Sequence, residues 1–151
     1  MKRVLKVAGE SMAPTFLPGD LLLTRGVGRA GLLRRGEAVV IRHGGIRMLK
    51  RVVGVPDDQV ELEAGRLFVN GRSVDGRRRV PGAFTAAWRV PMGSYFVAGD
   101  NLAVSDDSRV WDEPFVPLEH VVAVAIRRLA GARRRTGLSP GGLPAAAGRV
   151  G

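Results

Sequence analysis

The apolar residues of this chain come in short runs. Leu21–Leu23, Ala38–Ile41, Arg51–Val55, Val60–Leu62, Leu67–Val69, Tyr95–Ala98 and Val121–Ile126 are rich in Val, Ile and Leu and are broken by Gly, Pro and Asp. β-Branched side chains are stiff and pack well on a pleated surface, and runs of this length at close intervals suit strands. The pattern predicts a mostly β fold of short antiparallel strands, sandwich-like or barrel-like. The 21 glycines and nine prolines favour many turns over long helices. Leu67-Phe-Val-Asn70-Gly71-Arg-Ser-Val74 reads as a hairpin, because Asn-Gly supplies the positive φ values of a type I′ turn. Met12 to Thr15 fits either a short helical turn or a loop.

A chain of 151 residues can bury one hydrophobic core. From Ala130 the composition shifts to Arg, Gly, Pro and Ala, so 130–151 is expected to be a flexible basic tail and 1–129 the folded domain. Arg77–Arg79, just before Pro81, is expected to be a solvated basic loop. The formal net charge of +10 favours anionic partners, either nucleic acid or an acidic membrane surface. With no cysteine, a disulfide framework, a thiolate nucleophile and a cysteine zinc site are excluded. No apolar run approaches the ~20 residues that span a bilayer. The start, MKRVLKVAGESM, lacks the apolar stretch of an export signal. The expectation is therefore a protein without its own transmembrane helix, either associated with a membrane or cytoplasmic.

Three segments carry side chains suited to chemistry. The chain has 24 basic residues but only three lysines, Lys2, Lys6 and Lys50. Strand alternation around Lys50 puts Met48, Lys50 and Val52 on one face. Burial on an apolar face disfavours the ammonium form, and a neutral lysine can accept a proton where arginine cannot. Ser11 lies between Gly9 and Pro14, in a bend that can present a hydroxyl and backbone N–H groups to a cleft. Gly99-Asp100-Asn101, followed by Ser105, Asp106, Asp107, Ser108 and Arg109, follows an apolar strand and is dense in hydrogen-bonding groups. Taken singly, each also fits a plain role: a lysine reaching to the surface, a serine in a turn, a polar loop with an Asp107–Arg109 ion pair.

Together they resemble the type I signal peptidases, the Ser–Lys peptidases of the S26 type. Ser11-Met12-Ala13-Pro14-Thr15 resembles the serine motif of that family, and Arg35 to Val40 its second strand. Leu49 to Asp58 resembles its lysine motif, and Gly99-Asp100-Asn101 through Arg109 its last motif, with Trp111 and Val116-Pro117 extending the match. The four motifs stand in the family's order over about residues 7 to 125. The resemblance implies a signal-peptidase/LexA-like β fold and a serine endopeptidase that removes signal or leader peptides after a small residue. It implies Ser11 as nucleophile, its N–H as oxyanion donor, Lys50 as general base and Ser105 as the group that orients Lys50. Asp107 and Arg109 would brace the lysine strand, and the turn at Gly99, Asp100 and Asn101 would support the floor of the site. Partners would be precursor proteins bound in extended form, with small pockets for alanine-like side chains; no metal or cofactor is implied. The chain departs from the pattern at Gly9, at Leu102, at Asp112-Glu113-Pro114 and in its lack of an N-terminal anchor.

Three other readings compete. A Ser–His–Asp hydrolase would have to use His43 or His120, the two histidines of the chain. A basic nucleic-acid-binding module fits the charge, but aromatic residues are only 5% and show no interleaving with a basic face. LexA-type repressors combine a Ser–Lys pair with a preceding DNA-binding domain, for which no room exists before Ser11. A dedicated maturation protease for one partner's leader, such as that of a nickel-type superoxide dismutase, is similar in its last motif, whereas the long segment from Lys50 to Gly99 is more like the general signal peptidases.

Overall fold

A computed structural model describes residues 1–28, 31–76 and 85–131. Eleven strands account for nearly all of the regular structure: β1 (Lys2–Lys6), β2 (Leu21–Arg25), β3 (Ala38–His43), β4 (Ile46–Gly54), β5 (Gln59–Glu63), β6 (Arg66–Val69), β7 (Arg72–Ser73), β8 (Thr85–Arg89), β9 (Ser94–Ala98), β10 (Val116–Pro117) and β11 (Val121–Ala130). Among the described residues there is no α-helix, only a single 3-10 turn at Leu118–His120. Seven strands form one sheet in the order β1-β2-β11-β3-β4-β9-β10, and four form a second in the order β7-β6-β5-β8. Every pairing is antiparallel. All seven apolar runs of the sequence lie in strands, apart from Val55, which directly follows β4.

Strands β4 and β9 are the hinge of the architecture, because they bury both faces. Val52 on β4 and Tyr95 and Val97 on β9 join Val39, Ile41, Val121 and Val124 in a core beneath the larger sheet. Their neighbours Val53, Phe96 and Ala98 point the other way, into a second core with Val60, Leu67 and Val90. A strand with a core on each side reads as a continuous apolar run rather than an alternating one. Each such Val or Phe contributes roughly 1.5–3 kcal/mol by leaving water.

The strands that the apolar pattern passes over are those that bury little. β1 (KRVLK) is held by backbone pairing to β2, and of its five residues only Leu5 is even partly buried. β8 (TAAWR) pairs with β5 and lends one large side chain, Trp88, to the second core. The Asn70-Gly71 hairpin forms as expected: both residues have positive φ, 49° and 82°, and Phe68 faces Ser73 across the two-residue turn. Gly44-Gly45 makes a like turn between β3 and β4, with φ of 56° and 81°. Met12 to Thr15 resolves into turns: Ala13 N–H donates to Glu10 O at 3.1 Å and Phe16 N–H to Met12 O at 2.9 Å. β11 runs to Ala130, one residue past the expected end of the folded domain at 129. Residues 132–151 and Arg77–Arg79 lie outside the described residues.

Candidate active site

Lys50 sits in the middle of β4, on the face it shares with Val52, and is only 3% exposed. Its Nζ donates to Ser105 Oγ at 3.1 Å. Burial lowers its pKa from the ordinary lysine value; the carboxylates of Asp107 and Asp106 act the other way, and Arg109 adds a further lowering. A desolvated amine favours the neutral state, which has one lone pair. The bond to Ser105 limits how that lone pair can turn.

Ser11 and Lys50 line one cavity of about 400 Å³. One wall is the segment from Leu5 to Ser11, leaving β1; the opposite wall is Arg47 to Lys50, the outer half of β4. Val104 and Asp106 also line it. The cavity is therefore bounded by the end of β1 with the bend and turn that follow it and by the outer half of β4. It is lined by both a half-buried serine and a buried amine, the inventory for attack on a carbonyl by a hydroxyl with a proton acceptor in the same site. A larger cavity of about 640 Å³ lies between the sheets, near Arg35, Arg51 and Arg72, and contains neither residue; the chemistry points to the smaller one.

The Ser11 turn is pinned from below by the expected Gly-Asp-Asn turn. Asn101 N–H donates to Ser11 O at 2.9 Å, and Asn101 Nδ2 donates to Glu10 O at 3.1 Å. Asp100 accepts two hydrogen bonds from Arg51, at 2.7 Å from Nε and 2.6 Å from Nη2. Arg51 thus ties the serine turn to the lysine strand through Asp100, a link that did not stand out in the sequence. Gly99 has its own reason. A Cβ there would overlap Ser105 Oγ and the carbonyl oxygen of Ser11, so only glycine lets these groups meet.

Ser105 Oγ accepts from Gly99 N–H at 3.1 Å as well as from Lys50. Asp107 is fully buried; it accepts from Gly99 N–H at 2.9 Å and from Arg109 Nε at 2.8 Å. Burial works to raise the Asp107 carboxyl, but Arg109, the Gly99 N–H and the Ser105 hydroxyl outweigh it and hold it below the ordinary carboxylate range. Arg109 also donates to the carbonyls of Leu102 and Ser105, at 2.9 and 3.2 Å. The ion pair thus holds the loop that carries Ser105 and the residue that follows β9; its hydrogen bonds reach β4 through Ser105, which accepts from Lys50 Nζ.

His43 and His120 line a different cavity, with Gly44, Gly45 and Phe115. Among the described residues neither borders the Ser11 cavity, so no Ser–His–Asp arrangement forms around Ser11. No group of three or more His, Cys, Asp or Glu gathers as a metal-ligand set among the described residues, and no helix there is long and apolar enough to cross a membrane.

The family model described as signal peptidase, peptidase S26, matches residues 2–130. Signal peptidase I of Pseudomonas fluorescens is 28% identical over 173 aligned positions, covering 83% of this chain and 61% of that protein. Signal peptidase I V of Bacillus subtilis is 35% identical over 122 positions, covering 69% of this chain and 73% of the relative. For signal peptidase IB of Staphylococcus aureus strain COL the identity is 33% over 127 positions, with 70% and 66% covered. The chain thus spans about three-fifths to three-quarters of the length of these relatives. Among solved structures, a signal peptidase I of Enterococcus faecalis aligns with a TM-score of 0.46 at 31% identity, over 60% of this chain and 93% of that one.

Proposed function

Because the chain belongs to the signal peptidase family, peptidase S26, we propose that it is a serine endopeptidase that uses Ser11 and Lys50 to remove signal or leader peptides after a small residue. One observation carries this reading: a lysine only 3% exposed shares a cavity with Ser11 and is held by Ser105. A structural surface lysine would not be buried, and a structural arginine could not release its proton.

In the proposed reaction the neutral Lys50 amine takes the proton of Ser11 Oγ as that oxygen bonds to the scissile carbonyl carbon. The carbonyl oxygen becomes the oxyanion, with Ser11 N–H as donor. The lysine ammonium then gives its proton to the leaving amide nitrogen, the C–N bond breaks, and an ester to Ser11 remains. Water attacks that ester with Lys50 again as base, which frees the acid and restores the serine. Ser105 orients the amine throughout, and Asp107, Arg109 and the turn at Gly99, Asp100 and Asn101 hold Ser105 and the Ser11 turn in place. The substrate is a precursor protein whose segment before the cut lies extended along Arg47–Lys50 of β4, across the cavity from Leu5–Ser11, where the strand suits main-chain pairing.

An anionic membrane surface is proposed as a second partner. The net charge of +10 supports it, as does the exposed Arg127 on β11; Arg128 is partly spent on Asp20, at 3.4 Å.

The test is cleavage, in detergent micelles, of a precursor carrying an Ala-X-Ala leader. Wild type is expected to cut after the second alanine. Ser11→Ala, Lys50→Ala and Lys50→Arg are expected to lose at least about 10³-fold in rate while keeping the wild-type circular dichroism. Undiminished cleavage by either lysine variant would overturn the assignment.

A further inference from the structure

Asp106 and Trp111 lie in the segment that joins β9 to β10, and neither has a part in the reaction above. The Trp111 ring stacks on His43 at the end of β3, with centroids 3.7 Å apart and planes 13° from parallel. It also packs against the core beneath the larger sheet. Its indole N–H, a donor only, bonds Asp106 Oδ1 at 3.0 Å. The contact fixes a solvent-exposed carboxylate that would otherwise be free to turn. Asp106 stands between Ser105, which holds Lys50 Nζ, and Asp107, and it lines the cavity shared by Ser11 and Lys50.

We infer that Asp106 is a positioning residue for the general base, its carboxylate clamped by Trp111 and His43 at the rim of the catalytic cavity so that it governs how readily Lys50 gives up its proton. The inference rests on the reading of Lys50 as base. Other charges also face Lys50: Asp107 and Arg109 from the same loop, Lys6 and Glu10 from the opposite wall, and Arg47 from β4 itself. Asp107 is countered in place by Arg109. Asp106 has no cationic partner among the described residues, so its field is not cancelled locally. A carboxylate favours the ammonium form and burial favours the amine; Asp106 therefore opposes the desolvation of Lys50 and moves the onset of activity to higher pH. Its exposure leaves that field open to screening by salt.

Two substitutions separate charge from position. Asp106→Asn keeps an acceptor for the indole N–H and removes the charge. Trp111→Phe keeps a ring on His43 and releases the carboxylate. In the pH profile of kcat/KM on an uncharged small-residue peptide, Asp106→Asn is expected to move the acid limb down by about half a pH unit, raising the rate on that limb about threefold. Trp111→Phe should shift it in the same direction by less. The alkaline plateau should stay unchanged, and the Asp106→Asn difference should shrink in high salt. Because the chain has only three lysines, an NMR titration of their side chains reads Lys50 ionisation without catalysis. A Lys50 midpoint that falls in Asp106→Asn, in a protein that cleaves nothing, would uphold the inference about position and sink the peptidase reading. Active Asp106→Asn whose acid limb and Lys50 midpoint both coincide with wild type would overturn the inference, as would an unshifted Trp111→Phe with an unchanged melting temperature.

Discussion

Lys50 works against the stability of the fold that holds it. Burial lowers its pKa in the folded protein relative to the unfolded chain, so the unfolded chain binds more protons wherever the two states differ. Stability is then fully present above the ordinary lysine value of 10.5 and is lost as pH falls through the depressed folded value. Below that value the ammonium is buried at full cost. Lys50→Met fills similar space with no charge, and Ser105 Oγ still receives the Gly99 N–H. The variant is expected to be inactive yet more stable than wild type at pH 7, by about 0.5–2 kcal/mol, with the gain shrinking as pH rises toward 10. Denaturation midpoints of the two proteins between pH 6 and 10 check this. A Lys50→Met protein less stable than wild type at every pH would mean that the amine is a structural tie.

At the scale of elements, β4 does two jobs by alternation. One face presents Lys50 to the cavity; the other presents Arg51 to Asp100 and Val53 to the second core. The strand ends at Gly54, where the two sheets come together. A Cβ at Gly54 would lie 2.8 Å from Val60 Cγ2, 3.0 Å from Val90 Cγ2 and 3.2 Å from Phe96 Cβ. The pairing to β9 also slips by one residue here, between Val52 and Gly54. Gly54→Ala must push apart β5, β9 and the residue that follows β8. It is expected to cost about 1–3 kcal/mol, measured by urea denaturation, and to lower activity through the displaced β4 register. A neutral outcome would show that the junction between the sheets has slack.

For the molecule as a whole, the family match and the last strand end at the same residue, 130. The segment 132–151 carries four arginines and no acidic residue. Truncation after Gly131 is expected to leave the melting temperature and the cleavage of a soluble peptide unchanged while weakening sedimentation with anionic vesicles at low salt. Equal vesicle binding by the truncated and full chains would place any membrane contact on the folded domain. A fall in melting temperature would place part of the folded unit beyond 131.

The sequence by itself determined the strands whose side chains are buried, because burial leaves a record in residue type: the Val and Ile of β3, β4 and β9, the Asn-Gly turn, and the scarce lysine on an apolar strand. It also carried the family's motifs in order. It left little record of β1 and of the ties that end in backbone atoms, such as Asn101 to Ser11 O or Arg109 to the Leu102 carbonyl, because any residue offers the same carbonyl. Only the tertiary structure decided that Arg109 bonds the Leu102 and Ser105 carbonyls, that Arg51 reaches the serine turn through Asp100, and that His43 meets Trp111 rather than Ser11. Those contacts join residues far apart in the chain, or choose one partner among several in reach. Sheet order settles that choice, and the local pattern of side chains does not encode it.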